Sequence, residues 1–457
     1  MQRQTRSIVA LLSAVFASSA AALALTTVLG KQVYDLTHSD LDLGLLGLAE
    51  FGPSALLVLV TGTLADRFDR RRLAAGALTG EAAVAGGLAW YAGTKPTSVI
   101  PIFLLVIAFG TARAFATPPA RALTADVVPR ERLPWLVVRQ SAMWQAALIV
   151  GPVLGGFLYV LHKSAPFLAA VVLLGCAAVA VTTVELAPGA HRGSRAKGTR
   201  TPTPVAVAAG PTVGPALGSG VVVEAALERA ETLDGVAPSP EPGGVREALE
   251  GLRFIRRQPI LLGAISLDLF AVLFGGAVAL LPAIATHRLG VGAVGLGWLR
   301  AATGIGAAAV TITLAIRPIT RRVGHTLLGA VACFGIGTLF LGSTTSFVVA
   351  FIALAALSGA DAVSVFVRAT LVPLATPDDK RGRVLAVENV FIGASNEVGA
   401  FESGVTGQLL GTAPAVVIGG VATLAVAGLS WFVFPDLRKV DRFPGPGAIH
   451  PVEAAGS

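Results

Sequence analysis

Charge is scarce in this chain. Only 14% of its 457 residues are charged, whereas 54% are hydrophobic, and the mean hydropathy is +0.74. A soluble globular domain carries about 25% charged residues. The composition therefore excludes an ordinary soluble protein and indicates that most of the chain lies in lipid.

Residues that support catalysis or metal binding are also scarce. The two cysteines, Cys176 and Cys333, lie inside apolar runs, which excludes a disulfide framework and a cysteine metal cluster. None of the six histidines lies in the middle of an apolar run. The phosphate loop GxxxxGK(S/T), the zinc motif HExxH and the nucleophile motif GxSxG do not occur in the sequence. We therefore expect no catalytic residues, no metal, no cofactor and no built-in ATPase, in a protein that is not an enzyme.

The sequence contains many long apolar runs instead. The hydrocarbon core of a bilayer is about 30 Å thick, which about 20 helical residues can cross. The first run resembles a signal peptide, but eleven more runs follow, so we expect it to remain as a helix. The sequence predicts an all-α membrane protein with twelve spans, at 7–29, 43–65, 73–93, 98–120, 136–160, 164–186, 260–285, 293–316, 325–343, 346–371, 384–410 and 412–434.

The positive charges of the short loops predict the orientation, because cytoplasmic loops are enriched in Lys and Arg. The loops on the side of both termini carry most of them, whereas the other side carries few. Those few are Lys31, Lys95, Lys163 and Arg288. We predict a multi-pass protein of a bacterial cytoplasmic (inner) membrane with both termini in the cytoplasm. The net charge of +8 then marks topology and contact with anionic lipid rather than with nucleic acid.

The twelve spans divide into two groups of six. We predict a first bundle at 1–186, a cytoplasmic linker at 187–258, a second bundle at 259–434 and a cytoplasmic tail at 435–457. The linker is rich in Pro, Gly, Ala and Thr up to about residue 244. Apolar residues at helical spacing follow near 245–257 and predict an amphipathic helix that lies on the inner leaflet and anchors the second bundle.

The two halves repeat each other. LADRFDRRR (64–72) matches LAIRPITRR (314–322) at five of nine positions. A similar shift aligns PPARALTADVVPRERL (118–133) with VFVRATLVPLATPDDKRGRV (365–384). Two matches at nearly the same offset predict duplicated six-helix bundles that are related by an axis along the membrane normal.

These segments resemble the major facilitator superfamily. GTLADRFDRRR (62–72) is similar to the signature that this family carries between its second and third spans, with Asp69 where glycine is common. GPVLGG (151–156) is similar to the core of the fifth-span signature of proton-driven exporters. The segments 31–57 and 391–404 resemble the branch of siderophore (enterobactin-type) and macrolide exporters. The positions that match the fifth-span signature are Gly151, Pro152, Gly155 and Gly156.

The resemblance implies two pseudo-symmetric six-helix bundles and a conformational latch. Asp66 would end the second span against the N-terminus of span eleven near Val384, where the helix dipole is positive. It would pair with arginines such as Arg70, with Asp126 as a second acid. Alternatively, the arginines only set the orientation, but orientation does not need the acids. The latch residues are Gly62, Asp66, Arg67, Arg70, Arg71 and Asp126.

Charges inside the spans are expensive and are therefore candidates for function. Glu50 and Glu397 lie at similar depths, roughly 10 Å from the outer surface, on spans that touch in the resembled fold. Two carboxylates that lie close together in a medium of low dielectric repel each other, so one of them takes up a proton. Alternatively, each carboxylate is hydrogen-bonded structurally or faces a wet vestibule alone.

Other charges lie deeper towards the cytoplasm. Arg113 in span four and Asp361 in span ten are separated by nearly the repeat offset, and the resemblance places both spans around the cavity. We expect a charge pair that binds substrate or couples it to protons, unless it is a static ion pair. Asp268 in span seven is a further candidate. Glu81 is a weaker one, and Arg300 and Glu402 lie where gating contacts would form.

Three functions remain open. The first is a secondary-active exporter that exchanges a bulky amphipathic molecule, such as a siderophore, antibiotic or drug, for protons. The second is an importer or facilitator of a small solute on the same fold. The third is a sensor or lipid-modifying membrane protein without transport. The expected partners are a small-molecule substrate, protons and the bilayer, without nucleic acid, and the expected state is a monomer.

Overall fold

The computed structural model describes residues 2–185 and 245–444, and these ranges contain helices and no strands. The predicted linker up to residue 244 and the end of the tail from residue 445 lie outside the described residues. Twelve long helices follow one another, which we number α1 to α12. They are α1 (Gln2–Thr37), α2 (Asp40–Arg67), α3 (Arg70–Gly93), α4 (Ile100–Val127), α5 (Leu133–Leu161), α6 (Ala165–Thr182), α7 (Pro259–Arg288), α8 (Ala293–Ile316), α9 (Val323–Ser343), α10 (Phe347–Leu374), α11 (Asp378–Leu410) and α12 (Thr412–Val433).

Nine of these helices are long and apolar enough to cross a membrane by themselves within the described residues. Of the other three, α3 and α11 carry charged or polar side chains that lower their hydropathy, whereas several side chains of α2 lie outside the described part of the structure. α2 and α11 pack against each other between the halves. Their polar residues therefore face protein rather than lipid, which is the arrangement that membrane helices with charged residues require.

The two halves repeat in their packing as they do in their sequence. In the first half, α1 packs against α5 and α6, α3 packs against α4 and α6, and α2 packs against α4. In the second half, α9 likewise packs against α10 and α12, and α7 packs against α12. The all-helical fold is thus built from two six-helix bundles.

Two helix pairs join the halves, α2 with α11 and α5 with α8. We call the side that holds both described chain ends the terminal side, and the other the opposite side. Gln145 on α5 donates from Nε2 to the Gly304 carbonyl of α8 over 2.7 Å in the middle of the bundle. Closer to the opposite side, a Cβ on Gly44 of α2 would lie 2.9 Å from the Ala400 carbonyl oxygen of α11.

The halves also touch through the end of α7 on the opposite side. This end is irregular. It passes from an α-helix that ends at Phe274 through a 3₁₀ turn at Gly276–Leu280 into a π turn at Ile284–Arg288. α1 and α2 contact this stretch. By contrast, α4 and α10, which end on the terminal side, form no comparable packing within the described ranges.

The amphipathic helix Val245–Arg257 precedes α7. Phe254 and Ile255 are buried in a cluster with residues of α7, α10 and α11, including Val384. These two side chains therefore pack on protein, whereas Leu249 on the same helix is exposed. The position of this helix on the inner leaflet stays a prediction. Arg256 and Arg257, at its end, are exposed.

Candidate transport site

The signature between α2 and α3 stabilises the first half. Arg70 pairs with Asp126 at the end of α4, Nη1 to Oδ2 over 2.8 Å. Arg71 donates from Nη1 to the Val184 carbonyl beyond α6 over 3.0 Å. The side chains of Gly62, Asp66 and Arg67 lie outside the described part of the structure. The described contacts therefore join α3 to α4 and α6.

Asp69 has a structural role that its place in the family signature did not predict. Its carboxylate accepts hydrogen bonds from the backbone N–H groups of Arg71 and Arg72, over 3.0 and 3.1 Å. It is therefore the N-cap of α3. An aspartate at this position satisfies N–H groups that the first turn leaves free and complements the positive helix end.

The glycines of GPVLGG allow α5 to pack closely against two different helices. A Cβ on Gly151 would lie 2.7 Å from the Ala20 carbonyl oxygen of α1, and one on Gly155 would lie 3.0 Å from that of Ala24. Gly156 instead lies against the Ala293 carbonyl of α8, in the other half. The segment thus allows close packing both within the first half and across the interface.

Glu50 and Glu397 lie on the two helices, α2 and α11, that pack together at the interface between the halves. Glu397 on α11 is 5% exposed, and its Oε2 would lie 2.9 Å from a Cβ on Gly47, one turn before Glu50 on α2. Glu50 interacts electrostatically with Glu397 and with Arg113 of α4 and Arg300 of α8. Its Oε1 is buried without a hydrogen-bond partner.

Glu81 on α3 extends this group into the first half. It is 2% exposed and interacts electrostatically with Arg113 and Glu50. We call these five residues the central cluster: Glu50, Glu81, Arg113, Arg300 and Glu397. It combines three acids with two arginines, so it carries one excess negative charge when all five groups are ionised.

A second group of charges lies within the second half. Arg368 on α10 is 4% exposed. It contacts Asp268 of α7 over 2.8 Å and Glu388 of α11 over 3.4 Å. Asp361, about two turns earlier on α10, interacts electrostatically with Asp268 and Arg368. We call these four residues the second-half cluster.

The expected pair of Arg113 with Asp361 does not form. Arg113 faces Glu50 and Glu81, whereas Asp361 lines a small cavity with Asp268. The matching offset places the two residues on equivalent helices at similar depth. The rotation of each helix about its axis decides the partner, and here both residues turn towards their own half.

Arg368 and Glu388 are not among the candidates predicted from the sequence. Both lie less than two turns from the predicted span ends at 371 and 384, where charges are common at the membrane surface. The signal that could have found Arg368 is the repeat itself, because the aligned segments place it opposite Arg121. The expected gating role of Glu402 has no described counterpart, because Glu402 accepts a hydrogen bond from Thr406 of its own helix.

Polar contacts close the interface on the opposite side. Thr412, at the start of α12, donates to Oδ2 of Asp40 over 2.7 Å, and Asp40 is 5% exposed. The ring of His287 on α7 lies 5.5 Å from that of Tyr34 and 6.0 Å from that of His38. These side chains come from both halves and seal the opposite side.

Comparison with known proteins agrees with this architecture. The sequence profile of the Major Facilitator Superfamily matches residues 8–343, which is most of the chain. No curated protein sequence matches.

Three solved structures have a similar fold. The human organic anion transporter MFSD10 (TETRAN) is 16% identical, with a TM-score of 0.57 and coverage of 93% of this chain and 99% of that one. A bacterial homolog of the human lysosomal transporter Spinster, inward-facing and unoccupied, is 13% identical, with a TM-score of 0.62 and coverage of 95% and 96%. A point mutant of the nucleoside transporter NupG is 11% identical, with a TM-score of 0.61 and coverage of 94% and 100%.

At these identities the likeness to solved structures shows the fold alone, whereas the family match covers most of the sequence. The chain therefore belongs to the major facilitator superfamily, and it is a multi-pass membrane transporter whose small-molecule substrate binds within the membrane.

Proposed function

We propose that this transporter is a secondary-active exporter, which exchanges a bulky amphipathic small molecule such as a siderophore, antibiotic or drug for protons. It acts as a monomer in a bacterial inner membrane with both termini in the cytoplasm. The observation that carries the proposal is the electrostatic interaction of Glu50 with Glu397, whose carboxylate lies against Gly47 of α2 across the interface between the halves. A shared pair of acids links the protonation of the site to the position of the halves.

Alternating access explains how the halves are arranged. They are joined in the middle and on the opposite side, while α4 and α10 do not pack together on the terminal side within the described ranges. With the terminal side in the cytoplasm, this is the state that accepts cargo from inside the cell. Transport then requires the contacts of Asp40, Thr412 and His287 to open.

A buried apolar cluster lies between the halves near the middle of the bundle. Leu148 of α5 packs with Ala307 of α8 and Ala362 of α10, with Leu23 and Trp144 beside them. Gln145 bonds across the same level. When these helices move apart during transport, the cluster would expose an apolar surface beside a hydrogen-bonding group, which suits a molecule with a large apolar body.

The central cluster has one more acid than it has arginines, and we assign proton binding to this extra acid. In the present state, Glu50 and Glu397 lie together, and their repulsion is relieved when one of them holds a proton. Loss of that proton to the cytoplasm restores the repulsion and favours separation of the halves on the opposite side. The separated acids then take up a proton from outside, which favours return. Protons thereby flow inward as cargo flows outward.

The test begins with the choice of cargo. Cells with and without the transporter are compared for sensitivity to siderophores, antibiotics and drugs, and a compound with altered sensitivity is taken into inverted membrane vesicles. With an acidic vesicle interior, we expect wild-type vesicles to accumulate the compound. Uptake only into right-side-out vesicles would contradict export.

The role of Glu50 is tested in the same vesicles. Glu50→Gln mimics the protonated state, so it should still bind cargo and exchange it between compartments, but it should not accumulate cargo against a gradient. Glu402→Gln is the matched control, because that acid contacts Thr406 on its own helix, and it should accumulate cargo normally. Full pH-driven accumulation by Glu50→Gln would remove Glu50 from the coupling mechanism.

A further inference from the structure

A small cavity lies inside the second half, away from the interface between the halves. It is bounded by α7, α9 and α10, and its accessible volume of about 10 Å³ is room for about one water-sized particle. One wall is apolar and includes Ala271, Val331 and Phe334. The other wall carries Asp268, Asp361 and Ser364.

Ser364 has an unusual hydroxyl. A serine inside a helix usually donates to the carbonyl four residues earlier, as Thr370 does to Phe366 on the same helix. The Oγ of Ser364 has no hydrogen-bond partner, although the residue is only 3% exposed. An unpaired buried hydroxyl is costly, and this one borders the cavity beside two carboxylates.

The charges around the cavity do not balance. Arg368 contacts both Asp268 and Glu388, whereas Asp361 forms no ion pair within the described residues. When all four groups are ionised, the second-half cluster carries two excess negative charges. A positive ligand in the cavity would offset part of this excess.

We infer that this cavity binds one small monovalent cation of the size of Na⁺. The carboxylate oxygens of Asp361 and Asp268 and the hydroxyl of Ser364 supply its ligands, all hard oxygen atoms that suit such an ion.

The bound cation would stabilise the second half by joining α7 to α10. Asp268 is on α7, and Asp361 and Ser364 are on α10. This inference goes beyond the proposed exchange of cargo for protons. It does not depend on that proposal, because the site lies within one half and needs neither cargo nor movement.

The test uses the purified full-length protein in detergent, with NaCl as the probe and choline chloride at equal ionic strength as the reference. Binding is measured with radioactive sodium and as the rise in the midpoint of thermal unfolding. We expect saturable Na⁺ binding and a higher midpoint in NaCl. Equal midpoints in both salts, with no saturable sodium binding, would overturn the site.

Three variants identify the ligands. Asp361→Asn should abolish the sodium effect, and Ser364→Ala should weaken sodium binding about tenfold, as expected for one lost oxygen ligand. Ser358→Ala is the matched control, because its Oγ is also buried without a partner on α10 but does not line the cavity, and it should bind sodium like the wild type. If Asp361→Asn does not fold, Ser364→Ala decides. Wild-type affinity in Ser364→Ala, or equal weakening in Ser358→Ala, would overturn the assignment.

Discussion

Arg368 holds together three helices of the second half. It contacts Asp268 on α7 and Glu388 on α11 from its own position on α10, and all three side chains are buried. A buried arginine between two acids adds little to the free energy of unfolding compared with apolar side chains of similar volume. Its removal alone is expensive, because it leaves uncompensated charges in the interior.

We therefore expect Arg368→Gln to lower the free energy of unfolding by about 3 kcal/mol, measured as a fall of the thermal midpoint in detergent. Glu388→Gln in the same protein should restore part of the loss by removing one of the repelling acids. Arg383→Gln is the control, since it breaks a partly exposed pair with Glu250 that is worth less than about 1 kcal/mol. An equal loss in Arg368→Gln and Arg383→Gln would contradict this account.

Asp69 allows a second prediction at the scale of one residue. Asp69→Ala removes the N-cap of α3 and should cost about 1 kcal/mol of stability, again measured as the thermal midpoint. Asp69→Asn should cost much less, because asparagine caps helices about as well as aspartate does. If both variants lose the same stability, the charge of Asp69 matters rather than its cap.

At the scale of helices, the contacts on the opposite side control opening. α1, α2, α7, α11 and α12 meet there through a few polar side chains, among them Asp40, Thr412 and His287. Such contacts are weak enough to break during transport. A single lost hydrogen bond should therefore shift the balance between the closed and the open state.

Thr412→Val removes the hydroxyl that donates to Asp40. A loss of about 1 kcal/mol corresponds to about a fivefold larger population of the state that is open on the opposite side. The measurement is the labelling rate of Leu43→Cys, a position 4% exposed and packed against the second half, in a protein whose two native cysteines are replaced by alanine. Thr406→Val, which loses a bond to Glu402 within α11, should leave the rate unchanged. A rate unaffected by Thr412→Val would show that the bond does not control opening.

At the scale of the whole molecule, cysteine labelling tests the predicted orientation. With both termini in the cytoplasm, Thr97→Cys, in the exposed connection between α3 and α4, should react with an impermeant thiol reagent on intact cells. Lys439→Cys, on the terminal side just beyond α12, should react only after the membrane is permeabilised. The reverse pattern would place the termini outside and would overturn the predicted orientation.

The sequence predicts the helices well because solubility in lipid is a property of each segment. Every run of about 20 apolar residues must form its own hydrogen bonds as a helix, whatever its neighbours do. The repeat of 64–72 at 314–322 likewise predicts two similar bundles, since duplicated sequences fold alike. These features depend on residues that are close in the chain.

The partners of the buried charges depend instead on helix rotation. Arg113 and Asp361 match in depth and offset, but each turns towards its own half. Glu50 and Glu397 lie together because Gly47 on α2 leaves room for the Glu397 carboxylate. A sequence shows the depth of a charge but not the direction in which its helix turns, so the pairing of two charges at matching depth stays open until the packing is known.

The irregular end of α7 makes the two halves mechanically different. α1 occupies the equivalent place in the first half and is one unbroken helix from Gln2 to Thr37. The 3₁₀ and π turns of Gly276–Arg288 have weaker and displaced hydrogen bonds, and such turns often mark hinges. When the opposite side opens, α1 would move as a rigid helix, whereas α7 would bend at its 3₁₀ and π turns. Hydrogen–deuterium exchange should then be fastest in this stretch of α7, and much slower in the matching end of α1.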